Sequence, residues 1–105
     1  MDAISLEVAG GFRIVVPADP KTLSTFVFLE FEDWFEDEAP FLRRVFAPGD
    51  RVLDIGANLG FYALTAARIA GPEGRVWCFE PTPEVARMLR ASVALNGMAM
   101  VEVVE

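Results

Sequence analysis

The sequence predicts an α/β fold: a partial, doubly wound parallel sheet preceded by a small amino-terminal β segment. Three observations carry this reading. From Arg51 onward, short apolar strands alternate with helical stretches. A glycine-bearing turn, Gly56-Ala-Asn-Leu-Gly60, joins the first of these strands to its helix. Before Trp34 the chain reads as β structure, assigned here to residues 1–33, with the first half of the sheet domain at 34–105.

The elements follow in order. Ile4 to Val8 and Phe12 to Val16 alternate about Ala9-Gly10-Gly11, the pattern of a hairpin. Pro17-Ala18-Asp19-Pro20 interrupts it, and Thr25 to Phe31 is expected to resume as an aromatic-rich strand. Trp34, Phe35, Phe41, Leu42, Val45 and Phe46 recur at roughly helical spacing, so a helix is expected from about Asp37 to Phe46. Pro40 fits in its first turn, where a missing N–H costs nothing. Ala47-Pro48-Gly49-Asp50 ends it.

Arg51 to Ile55 is a short apolar strand, Gly60 to Ala70 a helix stopped by Gly71-Pro72, and Arg75 to Phe79 a second strand. Thr82 can cap a helix whose first position is Pro83, with Glu84 suited to the positive end of the dipole. That helix presents Val85, Met88, Leu89 and Val93 on one face and ends at Asn96-Gly97 in a left-handed cap. Met100 to Val104 begins a third strand. Short links between these elements make a right-handed parallel sheet, the first half of a doubly wound fold.

Composition narrows the partners. The chain has 105 residues, 53% of them hydrophobic, and a mean hydropathy of +0.36. So apolar a composition in so short a chain implies a core that expects more chain around it. The net charge of −7 repels phosphate backbones, so no nucleic acid is expected as a general partner. Six acids fall between Glu30 and Glu38. They read as a solvated face near a helix start or as a wall of a substrate entrance.

A lone cysteine, Cys78, leaves no internal disulfide, and it is read as buried packing within its strand. Without histidine the commonest metal ligand is missing, and no metal site is expected. The amino terminus has neither the basic region nor the apolar run of a signal peptide, and no stretch is long and apolar enough to span a bilayer. The expectation is a cytoplasmic protein with no membrane partner.

The glycine turn is the informative segment. In open α/β sheets ligands bind outside the carboxyl ends of the strands, so the turn faces a site. Gly56 permits a tight turn and close ligand approach, Gly60 lets the helix begin tightly against the strand, and Asn58 tolerates unusual backbone angles. Asp54 lies two residues before Gly56, and Glu80 follows the second strand, twenty residues after Gly60. An acid at that strand tip can accept both hydroxyls of a ribose, which suits any adenosine-containing cofactor.

Asp54 discriminates among them. A nicotinamide dinucleotide places its anionic pyrophosphate over this turn. Two like charges about 4 Å apart repel by roughly 4 kcal/mol at an effective dielectric of about 20. S-adenosylmethionine brings an ammonium and a sulfonium instead, both cationic. The turn also reads G-x-x-x-G rather than the dinucleotide G-x-G-x-x-G.

Val52-Leu-Asp-Ile-Gly-Ala-Asn-Leu-Gly-Phe-Tyr62, with Phe79-Glu-Pro-Thr-Pro83 and Asn96-Gly97, resembles the FkbM family of S-adenosylmethionine-dependent methyltransferases. The likeness runs from about Trp34 to the end. It implies a class I methyltransferase, Rossmann-like fold and O-methylation of a hydroxylated small molecule, a sugar or other natural product. Carried onto this chain, Asp54, Gly56, Ala57, Asn58 and Gly60 would surround the methionine part of the cofactor and Glu80 would hold the ribose. Phe61 and Tyr62 would lie near the pocket or serve as core residues at the helix start.

Members of that family continue through a fourth strand and further elements that supply part of the adenine pocket and most of the substrate site. The expectation is therefore the amino-terminal portion of such an enzyme, with no catalytic base assigned. Two alternatives stay open: a cofactor-binding remnant without activity, and a nicotinamide-dependent oxidoreductase domain. The strand at Arg51 to Ile55, deprived of one neighbour, exposes a sheet edge, from which self-association, pairing with the amino-terminal strands or poor solubility is expected.

Overall fold

The computed structural model describes residues 2–105. The chain opens with an antiparallel hairpin, β1 (Ala3–Val8) and β2 (Phe12–Pro17). Two helices follow, α1 (Leu23–Phe31) and α2 (Glu38–Val45). The remainder alternates: β3 (Arg51–Ile55), α3 (Phe61–Ala70), β4 (Arg75–Phe79), α4 (Pro83–Leu95) and β5 (Val101–Val104). The last three strands form a parallel sheet in the order β3-β4-β5. A right-handed β-α-β crossover in this order puts α3 and α4 on the same face of the sheet.

The expected strand at Thr25 to Phe31 is instead helix α1. Its apolar content is so nearly continuous that neither a two-residue nor a helical period stands out, and aromatic residues tilt the propensity toward strand. Local and tertiary contacts decide. Asp19 accepts hydrogen bonds from the backbone N–H groups of Lys21 and Thr22, which turns the chain into the helix. Thr25 and Phe28 then bury, the Thr25 hydroxyl donating to the Pro17 carbonyl at 2.7 Å.

The other elements fall where the sequence places them, within a residue or two. Pro40 sits in the first turn of α2, and Gly97 closes α4 with a φ of 62°. Thr82 holds the N-cap position of α4 without a capping hydrogen bond from its side chain.

The hairpin and the sheet share one core. Phe12, Ile14 and Val16 from β2 pack in the same cluster as Leu64 of α3, Leu89 of α4 and Val76 and Cys78 of β4. The outer edge of β2 is closed by side chains of α4. The Val15 N–H donates to Ser92 Oγ at 2.8 Å, and Arg13 exchanges two backbone bonds with the Asn96 amide, at 2.9 and 2.7 Å. Ser92 of α4 and Asn96 at its C-cap thus supply some of the partners that another strand would provide along this edge.

The parallel sheet is covered on one face. Val76 and Cys78 point into the core, and burial pushes the Cys78 thiol up to about 12, as expected of packing rather than chemistry. On the opposite face Leu53 and Ile55 remain 64% and 75% exposed, in register with Trp77 and Phe79 of β4. Strand β3 has β4 on one side and no strand on the other among the described residues. No helix among them is long and apolar enough to cross a membrane.

Candidate cofactor site

The turn between β3 and α3 is held from below by the end of β4. The N–H groups of Gly56 and Ala57 both donate to the Phe79 carbonyl, at 2.8 and 3.1 Å. Gly56, Asn58 and Gly60 all take positive φ values, 73°, 55° and 96°. Asparagine is the residue with a full side chain that best accepts this region, which explains its place between the two glycines.

The glycines serve different ends. A Cβ on Gly60 would meet Leu89 Cδ1 at 2.2 Å, so α3 starts against α4 only because no side chain intervenes. At Gly56 nothing lies within 4 Å of the same position. That side of the turn is open to a ligand.

Glu80 is almost fully buried, at 7% exposure. The N–H of Asn58 donates to its Oε1 at 2.8 Å and that of Thr82 to its Oε2 at 3.0 Å. Burial raises the cost of its charge, but the donated N–H groups outweigh this and hold its carboxyl below the ordinary range. Glu80 therefore ties the glycine turn to the start of α4. Each carboxylate oxygen keeps acceptor capacity for a further donor such as a ribose hydroxyl.

Asp54 lines not the cleft beside the turn but the hollow next to it, and Tyr62 borders both. The Asp54 side chain shares this shallow hollow with Leu42, Phe46, Val52, Leu53 and Tyr62. Oδ2 is buried with no hydrogen-bond partner, and burial pushes the carboxyl above its usual range. An unpartnered carboxylate in such a place is costly by itself, and a cation beside it relieves the cost.

The turn's own cleft, about 160 Å³, is walled by Gly56 to Tyr62 on one side and by Ser24, Phe28, Trp34 and Glu36 on the other. Phe61 is a core residue, packed at a tilt against Phe12, Phe28 and Trp34, and Tyr62 is half-buried; both border the cleft. Glu36 Oε1 accepts from Trp34 Nε1 at 2.6 Å and from the Tyr62 hydroxyl at 2.8 Å. These bonds hold the Glu36 carboxyl below its ordinary range and push the Tyr62 phenol, already raised by desolvation, further up.

The acidic run divides its labour. Asp33 pairs with Arg43 of α2, whose guanidinium lies 5.6 Å from the centre of the Phe61 ring, and so docks the segment. Glu36 is the one that reaches the site. The sequence flags the run as a possible entrance wall but gives no means to single out position 36, because the contact with Tyr62 spans 26 residues.

No protein-family model matches the chain. It is similar to an arsenite methyltransferase of Halobacterium salinarum, 43% identical over 56 residues, which are 53% of this chain and 14% of the relative. It is also similar to a protein-L-isoaspartate O-methyltransferase of Ignicoccus hospitalis, 40% identical over 60 residues, 57% of this chain and 26% of the relative. The chain thus spans about a seventh and a quarter of these relatives' lengths. Among solved structures, a SAM-dependent methyltransferase from Aquifex aeolicus superimposes with a TM-score of 0.61 at 26% identity, covering 83% of this chain and 46% of that one. These likenesses fall on the methyltransferase class in general and do not single out the FkbM group. The fold is that of the class I methyltransferases, a Rossmann-like parallel sheet with a glycine turn after its first strand.

Proposed function

We propose that this chain binds S-adenosylmethionine and forms the cofactor-holding part of a methyltransferase. The observation that carries the reading is the buried, unpartnered Asp54 oxygen at the carboxyl end of β3. A cationic ligand lowers the cost of that charge, whereas a pyrophosphate raises it. Gly56, Ala57, Asn58 and Gly60 surround the methionine part, with Gly56 open to close approach. Glu80, already fixed by two N–H donors, offers its remaining lone pairs to the ribose.

When bound, the cofactor supplies a methyl group on a sulfonium, a good leaving group for transfer to an acceptor atom aligned within about 3–3.5 Å. The finer reading is O-methylation of a hydroxyl on a sugar or other natural product, in the manner of the FkbM group. The net charge of −7 favours a small acceptor over a nucleic acid. The known relatives by name act on arsenite and on protein isoaspartate, so the acceptor class rests on the motif resemblance.

Calorimetry on the 105-residue chain with S-adenosylmethionine, S-adenosylhomocysteine and NAD tests the reading. Binding of the two sulfur ligands with no heat from NAD is the expected result. Tighter binding of NAD overturns it. Turnover of a hydroxylated acceptor separates an active enzyme from a domain that only holds the cofactor.

A further inference from the structure

We infer that Glu36 is a cofactor-binding residue: across the glycine-turn cleft, its carboxylate takes the α-ammonium of the cofactor's amino-acid arm. The inference rests on the S-adenosylmethionine reading above and adds a residue outside the glycine turn and the strand tips. Oε1 already accepts from Trp34 and Tyr62, while Oε2 receives no donor among the described residues. The cleft lies between this carboxylate and the turn. The bonds from Trp34 and Tyr62 hold this solvent-exposed carboxylate at the wall of the cleft, and Oε2 keeps its acceptor capacity. An ammonium has three N–H groups to offer and a sulfonium has none.

The opposite wall of the cleft complements the rest of such an arm. Leu64 N–H makes the first backbone bond of α3, to the Gly60 carbonyl at 2.7 Å. The N–H groups of Phe61, Tyr62 and Ala63 therefore have no acceptor within the helix, and they form its positive end. An anion on one wall and a helix N-terminus on the other match a zwitterion, ammonium toward Glu36 and carboxylate toward α3. The volume of about 160 Å³ is below the roughly 300–1,000 Å³ of pockets that enclose a whole drug-sized ligand. It suits one amino-acid arm, with the nucleoside lying outside toward Glu80.

The test compares two ligands that share the thioether and adenosine but differ in the arm: S-adenosylhomocysteine, which has it, and 5′-methylthioadenosine, which lacks it. Glu36→Gln keeps the size and removes the charge. Its affinity for S-adenosylhomocysteine is expected to fall roughly ten- to a hundredfold, the loss of one charge-assisted hydrogen bond, while that for 5′-methylthioadenosine stays at the wild-type value. Glu36→Asp keeps the charge but withdraws it by one methylene, and its selective loss is expected to be intermediate. It also serves as the deciding variant if Glu36→Gln does not fold. Wild-type binding of S-adenosylhomocysteine by these variants, or an equal loss for both ligands, overturns the role of Glu36 and leaves the cofactor reading standing. Failure of the wild-type chain to bind either ligand overturns both.

Discussion

The backbone N–H of Asn58 donates to the carboxylate of Glu80 at 2.8 Å, so the acid that follows one strand fixes the turn that follows another. The second oxygen accepts the N–H of Thr82 and fixes the start of α4 in the same way. The residue proposed to hold the ribose is thus also part of the scaffold.

Glu80→Gln removes a charge and replaces one acceptor oxygen with an NH2 that faces a backbone N–H. A cost of about 1.5–3 kcal/mol is expected, the range for hydrogen bonds to charged groups, read as a lower midpoint in denaturant. The pH dependence has a definite sign. Because the folded-state carboxyl lies below its ordinary value of 4.5, its contribution is complete above that pH and is lost as pH falls through the folded value. Wild type should therefore lose this increment on acidification, and Glu80→Gln should show a flatter curve below the same point.

Asp54 should behave in the opposite way. Its folded-state carboxyl is raised above 3.8 by burial, so ionisation in the folded chain is penalised and stability falls as pH rises through that window. Asp54→Asn is expected to stabilise the ligand-free chain at neutral pH by about 1 kcal/mol, or roughly 4–8 °C in Tm. The same change should weaken S-adenosylmethionine binding, because the cation loses its counter-charge. Scanning calorimetry with and without ligand reads both effects. A variant both less stable and undiminished in binding would contradict the assignment.

Alanine at the two turn glycines should separate packing from ligand access. At Gly60 the new methyl strikes the fully buried Leu89, and the positive φ adds strain. Overpacking of this kind costs about 1–3 kcal/mol, with a further 1–2 kcal/mol or so for the left-handed backbone. At Gly56 only the backbone term applies, since the space is open. Gly56→Ala should melt nearer to wild type than Gly60→Ala yet bind the cofactor poorly. Paired melting and calorimetry check the order.

Strand β3 carries Leu53 and Ile55 at 64% and 75% exposure and has no neighbouring strand on its outer side among the described residues. Concentration-dependent self-association is expected in sedimentation velocity. Ile55→Lys places a charge on that edge and should shift the distribution toward monomer, as charged residues do on natural sheet edges. A wild-type chain that sediments as monomer at all concentrations would remove the basis for this expectation.

Much of this was written in the order of residues. Asp54, Gly56, Asn58 and Gly60 announce a strand, a turn with positive φ and a helix start, because those requirements are local and few residue types meet them. Pro83 and Gly97 mark the two ends of α4 for the same reason. Tertiary structure alone decided the rest. Leu23–Phe31 is a helix because Thr25 and Phe28 found partners in Pro17, Trp34 and Phe61, against a local bias toward strand. Asp54 lines a hollow next to the glycine cleft, and Glu36 reaches the wall of that cleft through a contact 26 residues away in sequence. Backbone geometry is set by neighbours along the chain, whereas a site's charge pattern depends on which distant segments pack together, and periodicity does not encode that.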